Sequence, residues 1–288
     1  MAHSQNPQVP PKRGPHYRVP WRSIDPKNVI GHTNYLNLLG QYKTAEKEAK
    51  VKRDRYDRAK TKFDVDAALE IIDECISDDA IDRVIDDLER TQKPPKIAFP
   101  HPEWDAGTGE FNPNSRPTNA LPFAFAQVLA EILDCEVDLE IGQIARPGRK
   151  KLTNLQRFVW QAKFEGDVSE EHAYILADDM FHFGGTLAML RSYIVENGGV
   201  VISATSLATK DGAHKPFPVE DNTLGVLRSL YSADIDEFWR EEIGHETVCL
   251  TEIEGAFLSE WGSKLPDLAD GDTLLQRLRE EINKTKAT

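Results

Sequence analysis

The stretch Ala173-Tyr-Ile-Leu-Ala-Asp178-Asp179-Met-Phe-His-Phe-Gly184-Gly185-Thr186-Leu decides how the fold of this chain is interpreted. Its first five residues are mostly apolar and predict a buried strand, which ends in two adjacent carboxylates. Five positions after Asp179, Gly-Gly-Thr begins a segment whose apolar residues recur at helical spacing. Gly198-Gly199 ends that helix, and residues 200–207 (Val-Val-Ile-Ser-Ala-Thr-Ser-Leu) predict the next strand. The order strand, helix, strand is that of a βαβ unit in a parallel sheet.

Acids and glycines at the carboxyl edge of such a sheet can bind a sugar phosphate, because open α/β sheets bind ligands there. Asp178 and Asp179 can accept hydrogen bonds from the 2′ and 3′ hydroxyls of a ribose, or hold Mg²⁺ through water. Gly184 and Gly185 let backbone approach a ligand closely, the first N–H groups of the following helix attract phosphate, and Thr186 adds a hydroxyl. The alternative is an ordinary Asp-Asp turn and Gly-Gly loop. The order of strand, acids, loop, glycines and helix favours a ribose-phosphate site.

The complete motif resembles the phosphoribosyl pyrophosphate (PRPP) signature of type I phosphoribosyltransferases: an apolar strand, two acids, a short loop, then Gly-Gly-Thr. The resemblance implies that Asp178 and Asp179 hold the ribose diol, with Mg²⁺ as cofactor. It also implies that the 5′-phosphate is bound by the loop, which consists of Phe181, His182, Phe183, Gly184, Gly185 and Thr186.

The loop departs from the family at His182-Phe183, where small or hydroxyl residues are usual. In one interpretation His182 replaces a hydroxyl as donor and, when charged, suits a phosphate, while Phe183 contributes only its N–H. In the other interpretation the Phe183 ring fills the pocket and the protein no longer turns over.

Weaker similarities upstream follow the order of the competence-protein-F branch of the family. Residues 96–102 (Lys-Ile-Ala-Phe-Pro-His-Pro) predict a strand that runs into a proline-bounded loop, and Arg116-Pro-Thr-Asn119 precedes a predicted helix over 120–133. A basic stretch with Thr153-x-x-Gln156 follows. The resemblance implies that these segments bind pyrophosphate through His101, Arg116, Arg146, Arg149, Lys150 and Lys151.

Cations suit that task because transfer from PRPP passes through a ribosyl-cation-like transition state as pyrophosphate departs. The alternatives are a solvated surface turn for the basic stretch and a turn cap for His101.

Together these similarities imply an enzyme that binds PRPP and magnesium and transfers the 5-phosphoribosyl group to a nitrogen acceptor. Thr205 and Ser206, at the end of the strand over 200–207, are candidates to face that acceptor. Two other classes stay open. One is a non-catalytic sensor or interaction protein that binds a ribose phosphate or nucleotide, which His182-Phe183 and the helical appendages favour. The other is a protein that serves another phosphate ligand or a DNA process.

The predicted fold class is α/β, with a parallel-sheet, type I phosphoribosyltransferase-like core and helical additions at both ends. Residues 1–17 contain four prolines and predict a disordered tail. Residues 18–95 predict a mostly helical region, 96–209 the core, and 210–288 a mostly helical region that can cover the acceptor as a hood. Helices are expected there over 223–230, 234–242, 251–261 and 272–284.

The charge distribution bounds the choice of partner. The net charge of −13 argues against general nucleic-acid binding. Residues 43–63 nevertheless hold nine Lys or Arg against four acids, a local +5, and residues 64–90 hold eleven acids against two Arg, a local −9. A nucleic-acid surface is one interpretation. The favoured one is a basic helix that balances an acidic one, in an antiparallel pair or against a partner subunit.

The remaining composition predicts a cytoplasmic protein. The start of the chain lacks a secretory apolar segment, and no apolar run reaches the length of a membrane helix, so we expect no membrane partner. The three cysteines lie far apart without a Cys-x-x-Cys pair, which favours reduced thiols over a disulfide frame or zinc site. The fold resemblance also favours a homodimer.

Overall fold

The computed structural model describes residues 17–40, 46–100, 104–105, 110–111, 118–145, 153–265 and 273–286. They form a mixed α/β fold with a mostly parallel central sheet and flanking helices, which confirms the predicted fold class. The strands are β1 (Asn28–Asn34), β2 (Pro95–Ala98), β3 (Trp104–Asp105), β4 (Glu110–Phe111), β5 (Glu136–Val137), β6 (Gly142–Ala145), β7 (Lys163–Glu165), β8 (Ala173–Met180), β9 (Val200–Thr209) and β10 (Lys215–Pro216).

The helices are α1 (Tyr35–Leu38), α2 (Glu46–Thr61), α3 (Val65–Cys75), α4 (Asp78–Leu88), α5 (Leu121–Ile132), α6 (Gln156–Val159), α7 (Gly185–Glu196), α8 (Asp221–Tyr231), α9 (Ile235–Ile243), α10 (Glu252–Ser263) and α11 (Leu274–Lys286). A short 3₁₀ helix covers Thr247–Cys249. The βαβ unit expected around the two acids is therefore β8-α7-β9, and the four expected C-terminal helices are α8 to α11. Within the described residues, no helix is long and apolar enough to cross a membrane.

The main sheet has the order β10-β1-β9-β8-β2-β5. Every neighbouring pair from β1 to β5 is parallel, and β10 alone runs antiparallel to its neighbour. Strand β8 lies inside the sheet, where Ala173 to Ala177 are fully buried. A strand buried on both faces reads as a continuous apolar run rather than an alternation, which is why the sequence predicted it well.

The side chains of β8 alternate between two layers of helices. Ile175 and Ala177 face the core cluster formed with α3, α4 and α5, whereas Tyr174 and Leu176 face the cluster formed with α7. A third cluster joins the C-terminal helices α8 to α11 around the buried Trp239 and includes Phe158 of α6. The central strand β8 is thus covered by helices on both faces.

Strand β1 was missed in a region that we expected to be mostly helical. It pairs with β9 in parallel, with Ile30 opposite Thr205 and Gly31 opposite Ser206. Its polar second half obscured the strand pattern. His32 is buried, its Nδ1 accepts the Ser77 N–H, and its Nε2–H donates to Thr205 Oγ1. A Cβ at Gly31 would lie 2.7 Å from Thr209 Cγ2, so the close approach requires glycine.

The segment before β1 joins the sheet to the C-terminal helices. Trp21 packs edge-on against Phe217, with ring centroids 4.7 Å apart, and its Nε1–H donates to the Leu250 carbonyl. Arg18 forms a buried ion pair with Glu254 of α10, and Arg191 of α7 forms another with Asp25. The terminal regions therefore contribute to the structure around the sheet on the side of α7.

Candidate functional site

The two motif acids lie at the carboxyl end of β8, as the sequence predicts. Asp179 Oδ2 accepts a hydrogen bond from Asn119 Nδ2 at 3.0 Å and pairs with the Lys60 ammonium. Asp178 Oδ1 accepts the Asp179 N–H at 2.8 Å. These contacts fix the orientation of both carboxyl groups at the edge of the sheet.

The two acids differ in protonation. Burial, followed by the charge of Asp179, raises the pKa of Asp178 well above its usual range, which favours the protonated form of this carboxyl. Burial also works against ionisation of Asp179, but Lys60 and Asn119 outweigh it and hold the pKa of Asp179 below its usual range. Two adjacent carboxylates repel each other when both are ionised, so the pair carries its negative charge mainly on Asp179. The pair can therefore both donate to and accept from the two hydroxyls of a ribose.

The glycine loop follows the acids directly and leads into α7. Gly184 has a left-handed backbone (φ +79°), and a Cβ there would lie 2.5 Å from Phe181 Cε2. The loop is held from outside, since the Tyr35 hydroxyl donates to the Phe181 carbonyl and Thr251 Oγ1 donates to the Phe183 carbonyl at 2.5 Å. Helix α7 starts at Gly185 without an acidic residue in its own first turn. The Glu254 carboxylate, which pairs with Arg18, lies beside Gly185.

Phe183 does not close the site. Its ring packs edge-on against Phe257 of α10 (centroids 5.4 Å apart) and Phe158 of α6 (6.5 Å). Phe183 is 9% exposed and belongs to the contact with the C-terminal helices. The interpretation in which this ring fills the pocket is therefore not supported.

His182 is exposed at the mouth of the loop. Burial, then the charges of Arg157 and Lys210, lower the pKa of His182 below its ordinary value. Its imidazole can still donate one hydrogen bond in the neutral form, but its charge is not available without proton uptake.

Acids and loop line one cavity of about 370 Å³. A volume of this size is typical of sites for small ligands. The rest of the lining comes from many parts of the chain: Tyr35, Tyr56, Lys60, Pro100, Asn119, Pro122, Gln143, Arg157, Leu187 and Glu254. The structure thus brings together every motif residue from Asp178 to Thr186 and adds Asn119 from the upstream Arg-x-x-Asn similarity.

Thr205 and Ser206, the expected acceptor-facing residues, do not line this cavity. Both are fully buried in β9. Thr205 Oγ1 donates to the Ile30 carbonyl and Ser206 Oγ to the Ala208 carbonyl, so their hydroxyls are used inside the sheet. They are removed from the acceptor candidates. The expected pyrophosphate residues His101, Arg116, Arg146, Arg149, Lys150 and Lys151 lie outside the described residues.

The Thr-x-x-Gln similarity has a local structural explanation. The Thr153 N–H donates to Gln156 Oε1 at 2.8 Å, and the Gln156 N–H approaches Thr153 Oγ1 at 3.4 Å. This reciprocal pair has the hydrogen bonds of a capping box and lies in the turn that leads into α6. It positions the next residue, Arg157, at the cavity.

Sequence reasoning missed the cations of the cavity. Tyr56 and Lys60 lie one turn apart on α2 and both reach the cavity, a pairing that their i, i+4 spacing is compatible with. Arg157 has a buried Nε without a partner, and among the described residues no carboxylate forms an ion pair with it. Lys60 and Arg157 come from segments distant from the motif, and nothing in their local sequence distinguishes them from surface residues.

The basic and acidic segments form the expected helix pair. Lys52 binds Glu74 at 3.0 Å, and Arg55 binds Glu74 at 2.6 Å and Glu70 at 3.2 Å. These contacts join α2 to α3 and support the interpretation of the charge runs as intramolecular rather than as a nucleic-acid surface.

The residues of this cavity can hold a magnesium ion only together with a bound ligand that also contacts the ion. Within the described residues, no three His, Cys, Asp or Glu side chains cluster as metal ligands. Magnesium commonly takes one or two carboxylates together with water and substrate phosphates. Asp178 can meet such an ion through water, whereas Asp179 already carries the Lys60 ammonium.

Comparisons with known proteins give limited similarities. No family model matches the chain. Protein TraN of Escherichia coli is 30% identical over 198 residues, which cover 68% of this chain and 41% of TraN. An uncharacterized protein of Haemophilus influenzae is 30% identical over 142 residues, covering 49% of this chain and 29% of that protein. The chain thus spans less than half the length of both curated relatives.

Similar solved structures include adenine phosphoribosyltransferases. That of Thermoanaerobacter pseudethanolicus has a TM-score of 0.29 and 18% identity, covering 51% of this chain and 71% of that chain. That of Leishmania donovani has a TM-score of 0.27 and 16% identity, covering 51% and 57%. Similarity at this level assigns no activity to the chain, and the site itself must support any function.

Proposed function

We propose that the chain is a phosphoribosyltransferase-like protein that binds PRPP with magnesium. It would transfer the 5-phosphoribosyl group to a nitrogen acceptor and release pyrophosphate. The observation that carries the proposal is that two acids at the end of β8 and the glycine turn at the start of α7 line one cavity. A diol-binding pair beside a phosphate-binding helix start is the arrangement that a ribose 5-phosphate needs.

The 5′-phosphate would bind at the loop. The first N–H groups of α7 attract an anion, Thr186 supplies a hydroxyl, and Arg157 supplies a charge that the described residues leave without an ionic partner. This assignment compensates for the hydroxyl residues that the loop lacks at His182-Phe183.

The acids would hold the ribose and stabilise the reacting centre. The ionised Asp179 and the protonated Asp178 can accept from and donate to the 2′ and 3′ hydroxyls. The bond from C1 to pyrophosphate breaks with its electron pair on pyrophosphate, the acceptor nitrogen supplies the pair of the new C1–N bond, and its proton passes to water. A bound magnesium ion would supply charge neutralisation for the leaving group.

The acceptor would be a planar nitrogen base. Tyr35, Tyr56, Pro100 and Pro122 give the cavity an aromatic and apolar wall. Planar rings stack well on such walls. This assignment replaces Thr205 and Ser206, which the sheet buries.

Calorimetric titration with PRPP and magnesium tests the proposal, followed by a pyrophosphate-release assay over a panel of nitrogen bases. We expect the wild type to bind and Asp179→Asn to bind about tenfold or more weakly, because a charged acceptor is lost. Asp82→Asn, at an exposed position on α4, is the matched control and should bind as the wild type does. A folded wild type that binds no ribose phosphate would contradict the proposal.

A non-catalytic ribose-phosphate sensor is the second candidate. It is favoured by the ion pair between Lys60 and Asp179, which occupies an oxygen that the ribose diol would use. Binding of PRPP without pyrophosphate release on any base would favour the sensor over the transferase.

A further inference from the structure

Lys60 contacts the second motif acid from a helix that is outside the motif. Helix α2 is held against the start of α5 by two backbone hydrogen bonds, from the Ala120 N–H to the Ala59 carbonyl (2.9 Å) and from the Phe63 N–H to the Thr118 carbonyl (3.0 Å). Ala59, which accepts the first of these hydrogen bonds, is fully buried. The end of α2 therefore places Lys60 at the cavity by a fixed backbone contact, unlike a freely moving surface lysine.

The ion pair occupies the oxygen that a ligand needs. Asp179 Oδ2 receives both Lys60 Nζ and Asn119 Nδ2. A ribose hydroxyl that binds this oxygen must compete with Lys60 for it. The side chains of Lys60 and Asp179 are only 16% and 8% exposed, so water compensates poorly for a broken pair.

Three other cations of α2 form their ion pairs with acids outside the motif. Lys52 and Arg55 pair with acids of α3, and Arg58 pairs with Asp64 at 2.7 Å. Among the described residues, Lys60 forms its ion pair with Asp179. If a ligand takes Asp179, the Lys60 ammonium is left in a confined place and needs a new anion.

We propose that Lys60 is an anion-binding residue of this site, which passes from Asp179 to an anionic group attached to the ribose next to its diol. This inference rests on the proposed function and specifies its substrate class. The site should select a ribose 5-phosphate that also carries an anion at C1, such as a 1-diphosphate, over one with a free C1 hydroxyl. A ligand with the diol but no second anion breaks the ion pair without replacing it.

The test compares two ligands that differ only at C1. PRPP and ribose 5-phosphate are titrated at fixed magnesium into the wild type, Lys60→Met, Lys60→Arg and Lys62→Met. Lys62 is exposed and two positions further along the chain, so its variant is the matched control. Urea unfolding of each variant checks that the fold is kept.

We expect Lys60→Met to weaken PRPP binding by about 10- to 100-fold, the range for a lost hydrogen bond to a charged group. Binding of ribose 5-phosphate should stay unchanged or tighten, because the competitor for Asp179 is gone. Lys60→Arg should keep most of the preference for PRPP, and Lys62→Met should match the wild type. An equal loss for both ligands, or an unchanged ratio, would show that Lys60 only supports Asp179 and would overturn the inference.

Inorganic pyrophosphate separates this inference from the proposed function. If the wild type binds pyrophosphate in a Lys60-dependent way but binds neither ribose phosphate, the anion site stands and the ribose-phosphate proposal fails. If ribose 5-phosphate and PRPP bind equally and pyrophosphate binding ignores Lys60→Met, the proposed function stands and the role of Lys60 fails. If nothing binds to the folded protein, both are wrong.

Discussion

Gly184 has a left-handed backbone at the position where we expect the 5′-phosphate to bind. Its φ of +79° and the 2.5 Å approach of a Cβ to Phe181 leave no room for a side chain. We expect Gly184→Ala to destabilise the fold by about 1–3 kcal/mol and to weaken PRPP binding. Gly225→Ala on α8 is the control, because a Cβ there meets nothing within 4 Å and should stabilise the helix by about 0.5–1 kcal/mol. Urea unfolding measures both, and shifts of the same sign would contradict the assignment.

Arg157 is the residue that we expect to bind the 5′-phosphate through its charge. Arg157→Met should weaken PRPP and ribose 5-phosphate by similar factors of about 10- to 100-fold, since both ligands carry that phosphate. Lys60→Met should weaken the binding of PRPP but not that of ribose 5-phosphate. The two variants are therefore distinguished by the ligands whose binding they weaken. Arg240→Met, an exposed residue of α9, is the control in the same titrations. An Arg157→Met protein that loses only PRPP binding would move this cation to the pyrophosphate side.

Two buried histidines give the stability a defined pH dependence. Burial, followed by His214, lowers the pKa of His32 to about 4, and burial, followed by Arg18, lowers that of His245 to about 3. Because the unfolded chain binds these protons near pH 6.5 and the folded one does not, the contribution of these two histidines to stability falls as the pH drops below 6.5. Each histidine should contribute a slope of about 1.4 kcal/mol per pH unit between pH 6 and 5.

The slope can be measured by urea unfolding from pH 7.5 to 5. His245→Gln should reduce it by about 1.4 kcal/mol per pH unit, the effect of one proton. His172→Gln, at a half-buried position, is the control. An unchanged slope in His245→Gln would show that this imidazole is already protonated in the folded protein.

At the scale of elements, helix α10 supports the loop through its N-cap residue, Thr251. The Glu254 N–H donates to Thr251 Oγ1 and the Thr251 N–H to Glu254 Oε2, a capping box, while Thr251 Oγ1 also reaches the Phe183 carbonyl. Thr251→Ala should cost about 1–2 kcal/mol and weaken PRPP binding. Thr273→Ala removes a similar cap from α11, far from the loop, and should cost stability without changing affinity. Equal affinities in both variants would contradict the support of the loop by α10.

The elements that the sequence predicts well are those whose signal is local. The β8-α7-β9 unit follows from an apolar run, a glycine turn and helical spacing, and the acids and glycines of the site are contiguous with it. Strand β1 escaped prediction because its polar His32 is satisfied by Thr205 and Ser77, which are far along the chain. Lys60 escaped for the same reason, since it and Asp179 are 119 positions apart and only folding brings them together.

At the scale of the whole molecule, the main sheet contains strands from all three regions that the sequence analysis treats as separate: 18–95, 96–209 and 210–288. Strand β1 lies between β9 and β10, and residues 18–95 supply α2 to α4, which cover one face of β8. Arg191 of α7 is 1% exposed and binds Asp25 and the Val19 and Pro20 carbonyls, so removal of the N-terminal region would leave its charge buried and unpaired. Interactions between the predicted regions are therefore part of the core.

A fragment of residues 96–209 tests whether the predicted core is an independent domain. It would lose a neighbouring strand of β9 and the partners of Arg191, so we expect no cooperative urea transition and poorly dispersed amide signals in NMR spectra. A fragment of residues 17–286 retains these contacts and should unfold in one cooperative transition, which makes it the matched control. Cooperative unfolding of the shorter fragment would show that residues 96–209 form a separate domain and that β1 is an addition to its edge.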